Sequence, residues 1–297
     1  MTDKRCAYLT MQDTEGWAID ADLAFPLMAA LGWQVEPVRW RTADVDWDDY
    51  DAVYIGVPWD YPQEPERFMA LLTEIDQSRA LLVNDMALVR WSVAKTYLRD
   101  LEDRGAAIVP SLWHDEMNPA VLESAFEAHG TDRIIVKPIV STNATNTFLL
   151  TRVRAVALED ELAEVFRSRP FVVQPFIDNI LTDGEYSLFY FNRALSHATC
   201  KVPKPGDFRV QEEHGAALVS IEPESALVET GDSVINLVDP MPMYARADFV
   251  RGPDGRFLVM ELELIEPSMY LRMDDQAPKR FAEAFDHYVK EQQGEPT

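Results

Sequence analysis

Hydrophobic and polar residues alternate along the first part of the chain in a way that predicts strands and helices in turn. Apolar runs typical of strands lie at residues 5–10, 33–40, 51–59 and 80–84. Amphipathic stretches between them predict helices at residues 20–32 and 64–76. Alternating strands and helices are typical of a parallel sheet. We therefore predict an α/β domain with an open parallel sheet over residues 1–85.

The pattern changes after this domain. A helix is predicted at residues 92–105, and a small α+β unit of strands and helices follows over residues 86–173 as a whole. The remainder, residues 174–297, is richer in antiparallel strand signals and ends in an amphipathic helix at 279–293. The fold class expected is thus mixed, α/β followed by α+β, with an antiparallel sheet in the last segment.

The composition excludes several function classes. The chain has 51 acidic and 27 basic residues, a net charge of -24, which disfavours binding to nucleic acid or to anionic membranes. No apolar run approaches the ~20 residues of a membrane-spanning helix. Two cysteines, Cys6 and Cys200, lie in apolar strand-like runs and predict buried thiols in a reducing cytoplasm. Clusters of basic residues in so acidic a chain are therefore informative.

A hairpin predicted near the C-terminus carries an unusual set of charges. The turn Gly252–Gly255 separates two alternating runs. If Arg251 pairs with Arg256, one face of the hairpin carries Tyr244, Arg246, Asp248, Glu261 and Glu263. The opposite face, which includes Phe249, Leu258 and Met260, is predicted to be core. A one-residue slip would reverse the two faces.

Three carboxylates beside one arginine are short of positive charge. A hard divalent cation such as Mg²⁺ would supply it, because Mg²⁺ takes oxygen ligands and is commonly held by carboxylates together with phosphates. The alternative is an ordinary ion pair between Arg246 and Glu261, with the other acids in solvent.

Basic and hydroxyl side chains that suit phosphate occur elsewhere in the chain. Lys137 ends an apolar strand, Lys95 lies within the predicted helix 92–105, and residues 141–147 form a loop rich in hydroxyl and amide groups. A second basic cluster comprises Arg193, Lys201, Lys204 and Arg209. A lysine at the end of a buried strand is suited to bind phosphate oxygens. The alternatives are a solvated helix face for Lys95 and an ordinary turn for 141–147.

In their order, these motifs resemble the ATP-grasp superfamily of carboxylate–amine ligases, which includes glutathione synthetase and D-alanine–D-alanine ligase. They are most similar to the branch of the D-cycloserine-forming ligase. The matching stretches are residues 56–68, 88–98, 134–141, 172–188, 200–215, 245–250 and 258–268. The resemblance implies an ATP-grasp fold with an N-terminal domain at 1–85, a central lid at 86–173 and a C-terminal subdomain at 174–297.

The resemblance also implies roles for individual residues. ATP would be bound by Lys95, Lys137, Ser141, Gln174, Pro175, Phe176, Ile177, Glu185 and Lys201. Gln174–Ile177 would meet adenine and Glu185 the ribose. Asp248, Glu261 and Glu263 would hold two Mg²⁺ ions, for which Mn²⁺ could substitute. Lys201 or Lys204 would meet the transferred phosphoryl group, and Arg246 would stabilise the anionic intermediate.

The implied reaction is ATP-dependent formation of a carbon–nitrogen bond. A small-molecule carboxylate would become an acylphosphate, and an amine or similar nitrogen would displace the phosphate. Candidates for the substrate pocket are Trp59, Asp60, Arg209 and Ser268. The alternatives are a small-molecule kinase of the same fold and a non-catalytic nucleotide-binding protein. The partners expected are small molecules, neither nucleic acid nor membrane, and a homodimer is left open.

Three positions depart from the usual pattern of the superfamily. Glu263 stands where asparagine is usual in the metal pair, residues 141–144 replace a glycine-rich phosphate loop, and Gln174 begins the hinge where an acid is common. The departures concern metal spacing, loop flexibility and the preference for adenine over guanine.

Overall fold

The computed structural model describes residues 4–294 and begins with the predicted parallel sheet. Its strands are β1 (Lys4–Thr10), β2 (Trp33–Arg39), β3 (Ala52–Val57) and β4 (Leu81–Val83). They pair in parallel in the order β2-β1-β3-β4, with α1 (Phe25–Ala30) and α2 (Pro65–Gln77) in the connections. Every residue of β3 is buried, as expected for a parallel sheet covered on both faces. The predicted α/β organisation of this part is confirmed.

A second, antiparallel sheet forms the central part of the chain. It is preceded by α3 (Met86–Ser92) and α4 (Tyr97–Asp103). Its strands are β5 (Leu112–His114), β6 (Ile134–Pro138), β7 (Phe148–Leu150) and β8 (Phe171–Pro175), in the order β5-β8-β6-β7. The helices of this part are α5 (Pro119–His129), α6 (Arg152–Ala157) and α7 (Glu159–Val165).

The third sheet is antiparallel and has five strands. They are β9 (Glu185–Phe191), β10 (Ala194–Val202), β11 (Ala217–Ser220), β12 (Tyr244–Arg251) and β13 (Phe257–Glu263), in the order β11-β10-β9-β12-β13. Helix α8 (Ser225–Ile235) packs on this sheet, and α9 (Ala277–Gln293) ends the described chain. None of the helices within residues 4–294 is long and apolar enough to cross a membrane.

The hydrophobic cores join segments that are distant in sequence. Phe281 and Phe285 of α9 pack with Tyr8 and Tyr54 of the first sheet in one core. Helix α4 packs against the third sheet, and the backbone around Val109 is hydrogen-bonded to Val259 of β13. The last helix therefore completes the first domain, and the segment after β4 is anchored to the third sheet.

The helix predicted at residues 92–105 is broken. Helix α3 ends at Ser92 and α4 begins at Tyr97, so Lys95 lies in the turn between them. The Lys95 N–H donates to the Ile139 carbonyl at 2.7 Å, across to the segment after β6. This contact takes the amide out of the helical pattern and brings Lys95 next to the second sheet.

The hairpin of β12 and β13 has a different register from the one predicted. Arg251 pairs with Phe257, one residue beyond the predicted partner Arg256, and a β-bulge between Asp248 and Phe249 shifts the register by one more. The two shifts add to two residues at the polar end, so the parity of the faces is restored there. Asp248 therefore lies opposite Glu261.

On the turn side of the bulge the faces are exchanged. Val259 packs in the core with Phe249, whereas Met260 and Leu258 pack on the opposite face with Val250. The expectation that Leu258 and Met260 face the core beneath the sheet was wrong for this reason.

Candidate active site

A cleft lies between the second and third sheets, and loops of the first domain close one side of it. It contains about 1520 Å³ of empty space, its open mouth included. Lining residues come from β6, β8, β9, β10, β12 and β13, from the turn before α4 and from the loop after β6. One part is rich in charges and another is apolar. We call these the charged end (Lys95, Lys137, Lys201, Arg246, Asp248, Glu261 and Glu263) and the apolar slot (Val109, Ile135, Phe176, Val250 and Met260).

Three carboxylates converge at the charged end. Asp248, Glu261 and Glu263 each offer an oxygen atom, and these atoms all lie within 4.8 Å of one another. Asp248 is buried, and the two glutamates are half-buried at the cleft wall. The bulge in β12–β13 produces this arrangement, since it places Asp248 opposite Glu261 and Arg246 opposite Glu263. Oxygen ligands at this spacing suit a hard divalent cation.

Arg246 is the arginine of this cluster. Its guanidinium donates to both carboxylate oxygens of Asp248 at 3.0–3.1 Å and also to Glu263. A further N–H donates to the Ser268 carbonyl at 3.2 Å. The predicted alternative, a pair with Glu261, is not what forms, because the register places Glu263 opposite Arg246.

Lys201 is buried beneath the carboxylates. Its ammonium contacts Glu185 at 2.5 Å and Asp248 at 3.4 Å, and Ser187 donates to Asp248 at 2.5 Å. Burial opposes ionisation of Asp248, but Arg246 and Lys201 lower its pKa to about 2. Burial likewise opposes the charge on Lys201, and its carboxylate neighbours raise its pKa above the usual value. Asp248 and Lys201 are therefore both charged at neutral pH.

Lys95 and Lys137 face the same carboxylates from the other side. The Lys95 ammonium forms an ion pair with Glu261 and donates to the Ser141 carbonyl at 3.1 Å. Lys137 is 9% exposed, and no hydrogen bond or ion pair to its ammonium is found within residues 4–294. Burial and the neighbouring Lys95 lower the pKa of Lys137, while Glu261 opposes that shift. A buried cation without a partner on a cleft wall is suited to an anionic ligand.

Burial also acts on Glu263 of the charged end and on Glu266, which lines the cleft as well. It raises the pKa of Glu263 to about 8, against the opposing effect of Arg246. It raises the pKa of Glu266 to about 7, with Tyr61 and Lys95 opposing. Burial is the main cause of both shifts, and the neighbouring carboxylate Glu261 adds to them.

The apolar slot is formed by side chains from both antiparallel sheets. Its residues pack in one cluster with Phe208, whose ring meets that of Phe176 edge-on at 6.4 Å. Gln174, Pro175 and Ile177 of the predicted hinge also line the cleft at this point. The slot is suited to a flat, mostly apolar group, and the hinge supplies polar groups at its edge.

The structure brings most of the predicted site residues to the cleft wall. These are Trp59, Lys95, Lys137, Ser141, Gln174, Pro175, Phe176, Ile177, Glu185, Lys201, Arg209, Arg246, Asp248, Glu261, Glu263 and Ser268. Two do not line it. The Asp60 carboxylate accepts from the Trp40 indole at 2.6 Å and pairs with Arg41 within the first domain. Lys204 is exposed on the loop after β10 and does not line the cleft.

Other residues that line the cleft include Tyr61 and Tyr270, which the sequence did not point to, and Glu266, which was not assigned a role in the site. Tyr270 has a left-handed backbone (φ 44°), and its ring is buried between the cleft and Arg272, whose guanidinium lies 5.2 Å from the ring centre. The sequence gives no signal for a non-glycine residue at positive φ. Glu266 stands in the stretch 259–268, so its nearness to the other acids could have been inferred.

Comparison with known proteins relates this geometry to a family. Residues 6–84 match the family described as the N-terminal domain of D-cycloserine synthetase DcsG. The cycloserine biosynthesis protein DcsG of Streptomyces lavendulae is 27% identical over 297 residues, which covers 94% of this chain and 97% of that protein.

Solved structures agree with this result. The crystal structure of D-cycloserine synthetase DcsG superposes with a TM-score of 0.86 at 24% identity, covering 96% of this chain and 100% of that one. The ATP-grasp ligase PsnB, in a complex with minimal precursor, Mg and ADP, has a TM-score of 0.63 at 15% identity, covering 96% and 98%. The chain has the ATP-grasp fold. The predicted resemblance to ATP-grasp ligases of the D-cycloserine-forming branch is confirmed.

The charged end fits the ligands expected of this fold. The three carboxylates offer the oxygen donors that Mg²⁺ prefers, and the unpartnered Lys137 stands beside them. Mg and ADP are bound in the PsnB complex, which shares this fold.

Proposed function

We propose that this protein uses MgATP to activate a small-molecule carboxylate as an acylphosphate and couples it to a nitrogen nucleophile. One observation carries the proposal. Three carboxylates with oxygens within 4.8 Å of one another face a buried lysine, Lys137, that has no partner among residues 4–294. A bound metal ion would supply positive charge to the carboxylates, and a bound phosphate would supply negative charge to Lys137.

Each part of the cleft has a role in this proposal. Asp248, Glu261 and Glu263 hold two Mg²⁺ ions, and Mn²⁺ substitutes for them. Lys95, Lys137 and Ser141 contact the phosphates, the hinge Gln174–Ile177 and the apolar slot take the adenine, and Glu185 takes the ribose. Bound Mg²⁺ supplies charge neutralisation at the phosphates.

The reaction has two chemical steps. A carboxylate oxygen of the substrate attacks the γ-phosphorus, and the bond to the β-phosphate oxygen breaks, giving ADP and an acylphosphate. The nitrogen nucleophile then attacks the acyl carbon, loses a proton and expels phosphate, giving an amide bond. Arg246 stabilises the oxyanion of the second step, and Lys201 stabilises the transferred phosphoryl group.

Ligand binding must exchange partners at the charged end. Lys95 contacts Glu261, and Lys201 contacts Glu185. A metal ion held by Glu261 would free Lys95 to contact phosphate, so two new interactions would replace one ion pair. Such an exchange avoids leaving a charge buried without a partner.

The substrate binds where Trp59, Arg209 and Ser268 line the cleft. Trp59 is held by its indole N–H, which donates to the Glu266 carbonyl at 2.8 Å, and it receives a hydrogen bond from Thr142 at 3.1 Å. It thus contacts both the loop after β6 and the segment after β13. We further propose a reducing cytoplasmic location, since Cys6 and Cys200 are both free and buried. A homodimer is compatible with this proposal.

The test is a coupled assay with a panel of amino acids and amines. We expect ADP and phosphate in equal amounts, together with a product whose mass equals carboxylate plus amine minus water, or carboxylate minus water if the molecule cyclises. A stable phosphorylated product without condensation would show the kinase alternative. Nucleotide binding without turnover on any substrate would support a non-catalytic role. Asp248→Asn is the inactive reference and Lys204→Met the active one.

A further inference from the structure

The edge of the apolar slot carries one polar side chain whose orientation is determined by its surroundings. Gln174 is 5% exposed, lies on β8 opposite Ile135 and lines the cleft beside Phe176. An amide side chain offers a donor at one end and an acceptor at the other. Which end faces the slot determines which ligand groups it can bind.

Ser111 determines that orientation. Its hydroxyl donates to the Val109 carbonyl at 2.7 Å, and the Gln174 Nε2 donates to the Ser111 hydroxyl at 2.9 Å. A carbonyl can only accept, so the single proton of Ser111 is committed to Val109. The hydroxyl can then only accept from Gln174, which requires the amide nitrogen on that side.

We propose that Ser111 is a positioning residue that sets the nucleobase preference by holding the Gln174 amide with its oxygen directed to the base. This inference rests on the proposed function, in which the slot takes the base of ATP. Oε1 is an acceptor, so it selects a purine with a donor at position 6. Adenine has an amino group there. Hypoxanthine has an oxygen, which would face Oε1 with no proton between them.

The arrangement replaces an acid by a neutral amide. A carboxylate has two acceptor oxygens and needs no orienting partner, whereas an amide that rotates by 180° would present a donor and reverse its preference. Without Ser111, Gln174 would therefore accommodate either base. Ser111 therefore fixes which end of the Gln174 amide faces the slot.

The experiment compares the binding of MgATP and MgITP by calorimetry, since these nucleotides differ only at position 6 and N1 of the base. We expect the parent protein to prefer MgATP by about tenfold or more, the value of one hydrogen bond gained or left unmade. Ser111→Ala should reduce that preference by about five- to tenfold, because the freed amide can rotate toward the 6-oxo group.

Two further variants separate orientation from general damage. In a Gln174→Glu background both side-chain oxygens accept, so adding Ser111→Ala should leave the ATP/ITP ratio unchanged. Ser78→Ala removes a hydroxyl that likewise donates to a carbonyl, at 2.7 Å, and accepts from an N–H, at 3.1 Å, but lies in the first domain. It should leave the ratio at the parental value.

The outcomes distinguish the two proposals. A Ser111→Ala variant that weakens both nucleotides equally, or that changes the ratio equally in the Gln174→Glu background, would overturn the role of Ser111 alone. A parent protein that binds neither nucleotide with Mg²⁺ would overturn the proposed function, and this inference with it.

Discussion

The two ends of the cleft differ in how their charged and polar side chains are paired. At the charged end, acids and bases are paired with one another, as in Arg246 with Asp248 and Lys95 with Glu261. In the apolar slot, no charge needs a partner, and one amide is oriented by one serine. The charged end must therefore rearrange when a ligand binds, whereas the slot is already in a form that can receive a base.

The largest difference is expected between two lysines three residues apart. Lys201→Met removes a buried ammonium and leaves Glu185 without its partner, so unfolding free energy should fall by about 3–5 kcal/mol. Lys204→Met changes an exposed side chain and should stay within about 0.5 kcal/mol of the parent. Urea denaturation of both variants measures this. Equal stabilities would show that burial does not distinguish the two positions.

Glu261→Gln should separate activity from stability at the charged end. Turnover should fall by about 10²–10³-fold, the usual range for losing one group that stabilises developing charge. Stability without ligand should fall by about 1–3 kcal/mol, because Lys95 then faces a neutral amide oxygen instead of a carboxylate.

Glu224→Gln is the matched control for that experiment, since its carboxylate also pairs with a basic group, Arg251, but on the surface. Kinetics across a magnesium titration and the thermal shift produced by Mg²⁺ are the measurements. A Glu261→Gln variant with parental turnover and a parental thermal shift would show that Glu261 is only an ion-pair partner of Lys95.

The stability of the protein should depend on pH through one buried histidine, His197. His197 stacks on Phe189 at 4.2 Å, and its Nε2 donates to the Met269 carbonyl at 2.9 Å. Burial lowers its pKa to about 4. As pH falls from about 6.5 to about 4, the unfolded chain takes up a proton that the folded protein does not, so stability is lost on the acid side.

The loss assigned to His197 is about 3 kcal/mol. His197→Gln keeps a donor for the Met269 carbonyl and does not titrate, so its stability should fall less between pH 7 and pH 4. Chemical denaturation at several pH values gives both curves. Parallel curves would mean that His197 takes up its proton equally in the folded and unfolded states.

The smallest of these effects is expected for the lysine without a partner. Lys137→Met should weaken ATP binding by about 1.5–3 kcal/mol, the value of hydrogen bonds to a charged group. Because the side chain is largely buried and its ammonium has no hydrogen bond or ion pair within the described residues, its removal should not lower stability. Lys95→Met should destabilise, since it leaves Glu261 without a cation. Calorimetry and denaturation of both variants test the contrast, and a destabilised Lys137→Met variant would contradict it.

Local patterns in the sequence were sufficient to predict the sheet of the first domain and the elements around the cleft. Alternating strand and helix signals are local, and the parallel sheet that they predict formed as expected. The carboxylates of the hairpin were assigned to one face correctly, although the register was not. Side chains alternate between the two faces of a strand, so a register error of two residues leaves each side chain on the predicted face. The bulge supplied the second residue of that shift.

What the sequence did not contain are contacts across long separations. The partner of Glu261 is Lys95, 166 residues away. The break in the predicted helix that places Lys95 there involves a hydrogen bond to a carbonyl of the segment after β6. Asp60 is bound by Trp40 and Arg41 of its own domain. The pattern of apolar and polar residues does not predict these contacts. Side-chain pairing of this kind follows from tertiary packing, not from local propensity.

The packing of α9 has a consequence for how the chain is synthesised. Residues of β1 and β3 share their core with Phe281 and Phe285, which the ribosome adds more than 200 residues later. During translation the first sheet therefore emerges with one apolar surface uncovered, and it stays so until the final helix leaves the exit tunnel. The first sheet thus reaches its full packing only after α9 has been synthesised.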